Sequence, residues 1–132
     1  MSPIYDVKAD HILMPDEGLF TGTDTSNATE TYYSTLLHDT CHWTGHKSRL
    51  DRDIGMRFGK DAFAAKELIA ELGAAFLCAD LQVTPSLRDD HAAYIDHWLK
   101  IMKADKRAIF TAAAKANQAL KYLQKKQVAK AA

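Results

Sequence analysis

The densest chemistry in this sequence lies in residues 35–46, TLLHDTCHWTGH. His38 and His42 are four residues apart, which puts both imidazoles on one face of a helix, one turn above the other. Two neutral imidazoles at that spacing can reach one metal ion. The residue after the first histidine, Asp39, is where a zinc hydrolase built on such a helix keeps its general base. That base is ordinarily a glutamate, and aspartate is one methylene shorter. The pattern alone is equally compatible with a helix that carries two incidental histidines.

A second stretch supplies what the first lacks. Residues 66–79, KELIAELGAAFLCA, are apolar nearly all round and predict a buried helix. Glu67 and Glu71 nevertheless stand four apart on one face, continued by Ala74 and Cys78. Buried carboxylates are costly unless they are paired or bind metal. Two histidines on one helix and two glutamates on the next would offset each other's cost around a cation. The alternative places both glutamates at the helix rim, paired with Lys60 or Lys66. Spacing alone does not say which glutamate touches a metal, because a shift of one helical turn exchanges them.

Further residues extend the pattern along most of the chain: Asp10-His11-Ile12-Leu13-Met14-Pro15 with Phe20, Tyr33-Ser34-Thr35-Leu36-Leu37-His38, and His42-Trp43-Thr44-Gly45-His46 with Arg49-Leu50-Asp51-Arg52. The Glu67–Cys78 run, His91-Ala92-Ala93-Tyr94-Ile95, Trp98-Leu99-Lys100 and Asp105-Lys106-Arg107-Ala108-Ile109-Phe110 complete it. Together these residues resemble the zincin-like metallopeptidase domain of polyvalent plasmid and phage proteins. That domain forms the C-terminal part of ArdC-type antirestriction proteins and of related conjugative primase-like proteins. The resemblance implies an α+β, mostly α fold with a zincin-like core, a small N-terminal sheet and about four helices. It implies Zn²⁺ held by His38, His42 and Glu67, with Glu71 accepting a hydrogen bond from the free ring nitrogen of His38 or His42. Asp39 would take a proton from the attacking water and pass it to the leaving amine. The family usually has glutamate at that position, and losing about 1 Å of reach can cost about a hundredfold in rate. The family also usually carries an upstream domain resembling a single-stranded-DNA binder, which these 132 residues do not include. Any link to single-stranded DNA is therefore expected through a separate domain or partner.

Two functional classes follow. One is a zinc metallopeptidase of a mobile-element antirestriction system, acting on a protein or peptide, a host restriction factor among the candidates. The other is a metal-stabilised interaction module that protects DNA or occupies a restriction factor with little or no hydrolysis. A truncated, inactive remnant is the blandest alternative.

The whole composition sets the bounds. At 132 residues the chain is expected to form one domain, with strands and loops in 1–30 and mainly helix in 31–132. Its 47% hydrophobic and 26% charged residues are those of a globular protein. Seventeen basic and seventeen acidic residues cancel, which argues against a dedicated nucleic-acid surface. No apolar run reaches the roughly 20 residues of a membrane span, and the N-terminus has no secretory pattern. Cys41 and Cys78 read as buried thiols in a reducing cytoplasm.

In chain order, residues 5–8 and 11–14 have strand character, 16–18 read as a turn, and 19–21 predict a further short strand. Two or three strands should lie with an edge against the metal helix. Asn27 with Glu30 predicts a capping box that starts the first helix near residues 27–29. Gly45 predicts its end. His46 extends the four-residue ladder, but past Gly45 it should swing away from the metal to a polar rim or the substrate side. Arg49 belongs to a charged connection, 47–60, expected as a solvated loop or a wall of the cleft, with Arg49 a possible substrate contact. The second helix is expected over about 61–81 with Asp61 near its N-cap. The third is expected over about 87–102, with Ile95, Trp98, Leu99 and Met102 as its apolar stripe. The fourth follows Asp105, with a stripe of Ile109, Ala113, Ala116, Leu120 and Leu123 and a lysine-rich opposite face. His11, His91 and His97 read as structural or exposed.

Overall fold

Helix α3 (Ala62–Leu81) is the element that every other long helix touches. The structure is a computed structural model and describes residues 3–84 and 91–131. Two short strands come first, β1 (Ile4–Asp6) and β2 (His11–Leu13), followed by α1 (Ala28–Thr44). A single turn, α2 (Gly55–Phe58), precedes α3, and α4 (His91–Ala104) and α5 (Ala108–Ala131) complete the chain.

Small residues explain why α3 lies at the centre. Ala64, Ala65, Ala70, Gly73 and Ala74 are buried along it, interspersed with Leu68, Ile69, Leu77 and Cys78. The facing stripe of α5 is Ala108, Ala112, Ala116 and Ala119, all nearly fully buried. Backbones lined with alanine can approach closely, so α5 seats deep on α3. The expected α5 stripe shares only Ala116 with this row; Ile109, Ala113, Leu120 and Leu123 lie at its margins. Helix α4 departs from expectation in the same way. Ile95 and Leu99 are about half exposed, while Ile101 is buried and Tyr94, Trp98 and Met102 pack around Ala64 and Ala108. The indole of Trp98 donates to the Ala64 carbonyl at 2.8 Å, which fixes the face α4 presents. The expected start of this helix falls partly in 85–90, outside the described residues.

The ends of α1 are built from side chains. Asn27 accepts from the Glu30 amide at 2.8 Å, and Glu30 accepts from the Asn27 amide at 3.0 Å, the reciprocal box the sequence predicts. The second Glu30 oxygen accepts from the Thr84 amide, tying the start of α1 to the end of α3. At the other end Gly45 caps the helix with an ordinary right-handed backbone, φ −81°, so conformational freedom is not what selects glycine here. Space is the reason: a Cβ on Gly45 would lie 2.7 Å from the guanidinium of Arg52. Arg52 reaches back to donate to the Cys41 carbonyl at 2.7 Å and to Thr44 Oγ1 at 3.3 Å. It thereby satisfies part of the open helix end.

The sheet has two strands, antiparallel, with Tyr5 opposite Ile12. The further strand expected at 19–21 does not form. Asp16 accepts from the Gly18 amide at 2.9 Å and starts a 3₁₀ turn over Glu17–Leu19 instead. Phe20 then packs edge-on against Tyr32. Asp61 stands at the α3 N-cap position, but its carboxylate bonds His97 at 2.7 Å rather than a backbone amide.

Candidate metal centre

Helix α1 turns His38 and His42 toward α3, with ring centroids 5.0 Å apart. His38 is 2% exposed and His42 is half-buried. Across the gap α3 presents Glu67 and Glu71, both partly buried. One Glu67 oxygen lies 3.2 Å from Nε2 of His38, and the other lies 3.0 Å from Nε2 of His42. Glu71 Oε1 lies 2.5 Å from Nδ1 of His38. The glutamates thus face histidines, not Lys60 or Lys66.

These contacts decide what the cluster can do. An ionised Glu71 only accepts, so Nδ1 of His38 carries the proton it donates. The neutral ring then turns the lone pair of Nε2 toward the Glu67 carboxylate. Two acceptors at 3.2 Å repel unless a proton or a cation lies between them. With a proton there, His38 is an imidazolium ion, whereas His42 needs only an Nε2–H to donate to Glu67. Burial then pushes the Glu67 carboxyl up, but hydrogen bonds to His38 and His42 outweigh it and hold the group well below the usual carboxylate range. With a cation there, the same atoms become ligands. His38, His42 and Glu67 offer donor atoms that all lie within 4.8 Å of one another. Ligand atoms about 2.0–2.1 Å from a tetrahedral ion stand about 3.3 Å apart, close to the observed spacings. The two imidazoles and one carboxylate therefore form a donor set that suits a divalent metal.

The seam between α1 and α3 is closed beside the cluster. Cys41 is fully buried, its sulfur directed at the Ile69 carbonyl 3.6 Å away, and burial pushes its thiol up to about 11. It is not among the residues whose donor atoms converge in the cluster.

A cleft of about 510 Å³ opens beside His42. Tyr5, Val7 and Lys8 of the hairpin form one wall; Gly45, His46, Lys47, Asp51 and Arg52 form another; Lys66 of α3 closes the third side. His46 therefore lies at the cleft, past the end of α1. The Ser48 amide donates to its Nδ1 at 3.1 Å, so a neutral His46 carries its proton on Nε2 and is a hydrogen-bond donor there.

Two other candidates sit elsewhere. Asp39 is 5% exposed, its Oδ2 is sealed from solvent, and it does not line the cleft. Arg49 is engaged with the hairpin: its guanidinium pairs with Asp10, its Nε donates to the Trp43 carbonyl at 2.7 Å, and it stacks 3.8 Å above the Trp43 ring. Lys8 and Lys47 line the cleft without any sequence pattern that marks them, and Lys66 stands there rather than as a partner of the glutamates. The one available signal was Lys66, immediately before Glu67 and so turned by about 100° from it on the helix.

Comparison with known proteins agrees with this geometry. Residues 2–115 match the zincin-like metallopeptidase family. The chain belongs to that family. It is similar to the antirestriction protein ArdC from plasmid R388, solved in metal-free and Mn(II)-bound forms. Identity is 43% and 44%, TM-score is 0.79 in both, and the match covers 92% and 93% of this chain but 42% and 43% of ArdC. Protein y4eC of Sinorhizobium fredii is 42% identical over 93% of this chain and 38% of its own length. A DNA primase TraC of Escherichia coli is 40% identical over 86% of this chain and 10% of the primase. The chain thus spans less than half the length of each of these relatives. Among the described residues, no helix of this zincin-like protein is long and apolar enough to cross a membrane.

Proposed function

We propose that this chain is a zinc-dependent metallopeptidase-like unit of a mobile-element antirestriction protein, with His38, His42 and Glu67 as the ligands. One observation carries the reading: the Glu67 carboxylate spans the Nε2 atoms of both histidines while Glu71 orients His38 from behind. Two imidazoles and one carboxylate suit Zn²⁺, whereas manganese prefers more oxygen ligands. A divalent cation held by these atoms would supply Lewis acidity, lowering the pKa of water and polarising a carbonyl.

The chain's own residues do the rest. Glu71 fixes the tautomer and plane of His38, which keeps Nε2 as a lone-pair donor. His46, as an Nε2–H donor in the cleft, hydrogen-bonds a substrate carbonyl or carboxylate. In this reading Asp39 is the carboxylate that would take a proton from the attacking water and return it to the leaving amine, which requires it to turn toward the water from its place off the cleft lining. The substrate is a protein or peptide, with a host restriction factor as the candidate that the antirestriction role of ArdC suggests. A link to single-stranded DNA runs through a separate domain or partner. The site of action is the cytoplasm, where Cys41 and Cys78 stay as thiols.

Asp39 also favours a second reading. A short, buried carboxylate away from the cleft suits a metal-stabilised interaction module that binds its target without hydrolysing it. Peptide hydrolysis by the zinc-loaded chain separates the two. A peptidase loses turnover in Asp39→Asn and gains up to about a hundredfold in Asp39→Glu. An interaction module shows no turnover in any of the three forms.

A further inference from the structure

Each wall of the cleft beside His42 contributes one ammonium group. Lys8 comes from the hairpin, Lys47 from the segment after α1, and Lys66 from α3. All three side chains are exposed, and among the described residues none is paired with a carboxylate. Asp51 is the one acid in the lining, and His46 adds an imidazole. The bias is local, since the whole chain has a formal net charge of zero. Low-dielectric walls carrying one sign of charge focus their field into the opening.

We infer that this cleft takes an acidic peptide segment, and that Lys8, Lys47 and Lys66 select glutamate or aspartate next to the bond presented at the metal centre. The volume, about 510 Å³, lies within the range of small-ligand pockets, about 300–1,000 Å³, and suits a few residues of extended chain. Nucleic acid is the less favoured occupant. Single strands are held by successive aromatic platforms along a basic groove, and Tyr5 is the one tyrosine, phenylalanine or tryptophan in this lining. The inference rests on the peptidase reading for its bearing on cleavage, but not for binding itself.

The test uses the full chain and fluorescent peptides of equal length, one series rich in glutamate, one neutral and one rich in lysine. Anisotropy is measured with zinc and with chelator, and hydrolysis is followed in parallel. The acidic peptide should bind about tenfold tighter than the neutral one, and added salt should shrink the difference. Lys8→Glu, Lys47→Glu and Lys66→Glu should each weaken its binding by about three- to tenfold. The Lys8 and Lys47 variants should keep the parent metal stoichiometry, which separates lost selection from a lost fold. Equal binding of acidic and neutral peptides overturns the inference, as does unchanged acidic binding in all three variants. So does a single-stranded oligonucleotide that displaces the acidic peptide and loses affinity in the same variants. If acidic peptides bind selectively but none is cut, the inference stands and the peptidase reading fails. If peptides are cut with no acid preference, the peptidase reading stands and the inference fails.

Discussion

A Cβ built on Gly73 of α3 would lie 2.4 Å from the sulfur of Cys41 on α1. Cys41 lies between His38 and His42 in sequence, and Gly73 follows Glu71 by two residues. The contact thus sets the spacing of the two helices that carry the candidate metal centre. Alanine is the better helix former by about 1 kcal/mol, yet Gly73→Ala should destabilise by about 1–3 kcal/mol, because the overlap must push the helices apart. Cys41→Ala removes the sulfur and should relieve most of that cost, leaving a tighter contact between two methyl groups. Urea denaturation of both single variants and the double variant measures the coupling. Strictly additive effects would show that α1 and α3 do not clash at this point.

Metal should also hold these helices together. A ligand that binds only the folded chain stabilises it by about 2.7 kcal/mol at a hundredfold excess over its dissociation constant. Thermal unfolding of the zinc-loaded protein, before and after chelation, should show a clear fall in midpoint. An unchanged midpoint in protein shown to be loaded beforehand would mean that the site does not join α1 to α3.

The two glutamates should fail differently. Glu67→Gln removes the anionic donor shared by both histidines and should nearly abolish zinc binding. Glu71→Gln leaves the three donors in place and loosens His38, so affinity should fall by about 10- to 100-fold. Zinc titration by calorimetry distinguishes the two. Loss of binding in Glu71→Gln with retention in Glu67→Gln would invert the assignment.

What the sequence disclosed, and what it hid, follows from the range of each interaction. Asn27 and Glu30 sit three residues apart, so their capping box is written locally. His38 with His42, and Glu67 with Glu71, each lie one helical turn apart, and the cost of burying carboxylates argues that the pairs should meet. The family resemblance then said which glutamate goes where. Faces of helices were less legible. Helix α4 carries apolar residues at 94, 95, 98, 99, 101 and 102, enough for more than one stripe. Only the reach of Trp98 to Ala64 chooses among them. On α5 the large residues looked like core, but the close approach to α3 selects the alanines. The clamp of Arg49 on Asp10 joins positions 39 apart and leaves no periodic trace. The strand expected near Leu19 failed for a local reason that propensity understates, the side chain of Asp16 starting a turn.

That clamp gives the last prediction. Tyr5 donates to Asp10 at 2.7 Å, and Arg49 pairs with the same carboxylate, fixing the hairpin wall of the cleft to the end of α1. The hydrogen bonds from Arg49 and Tyr5 lower the Asp10 carboxyl from 3.8 to about 2. A depressed carboxylate pKa adds stability above the unfolded value, and that stability is lost as pH falls through the folded value. The hairpin should therefore loosen between about pH 4 and pH 2. Tyr5 moves the other way. Burial and the bond to Asp10 raise its hydroxyl from 10.0 to about 12, so the contribution is whole below the unfolded value and lost as pH rises through the folded one. Ultraviolet titration should show a late tyrosinate step that Tyr5→Phe removes and Asp10→Asn shifts to lower pH. Asp10→Asn should also flatten the acid limb of hairpin amide exchange. If that limb is the same in Asp10→Asn as in the parent, the clamp does not hold the hairpin.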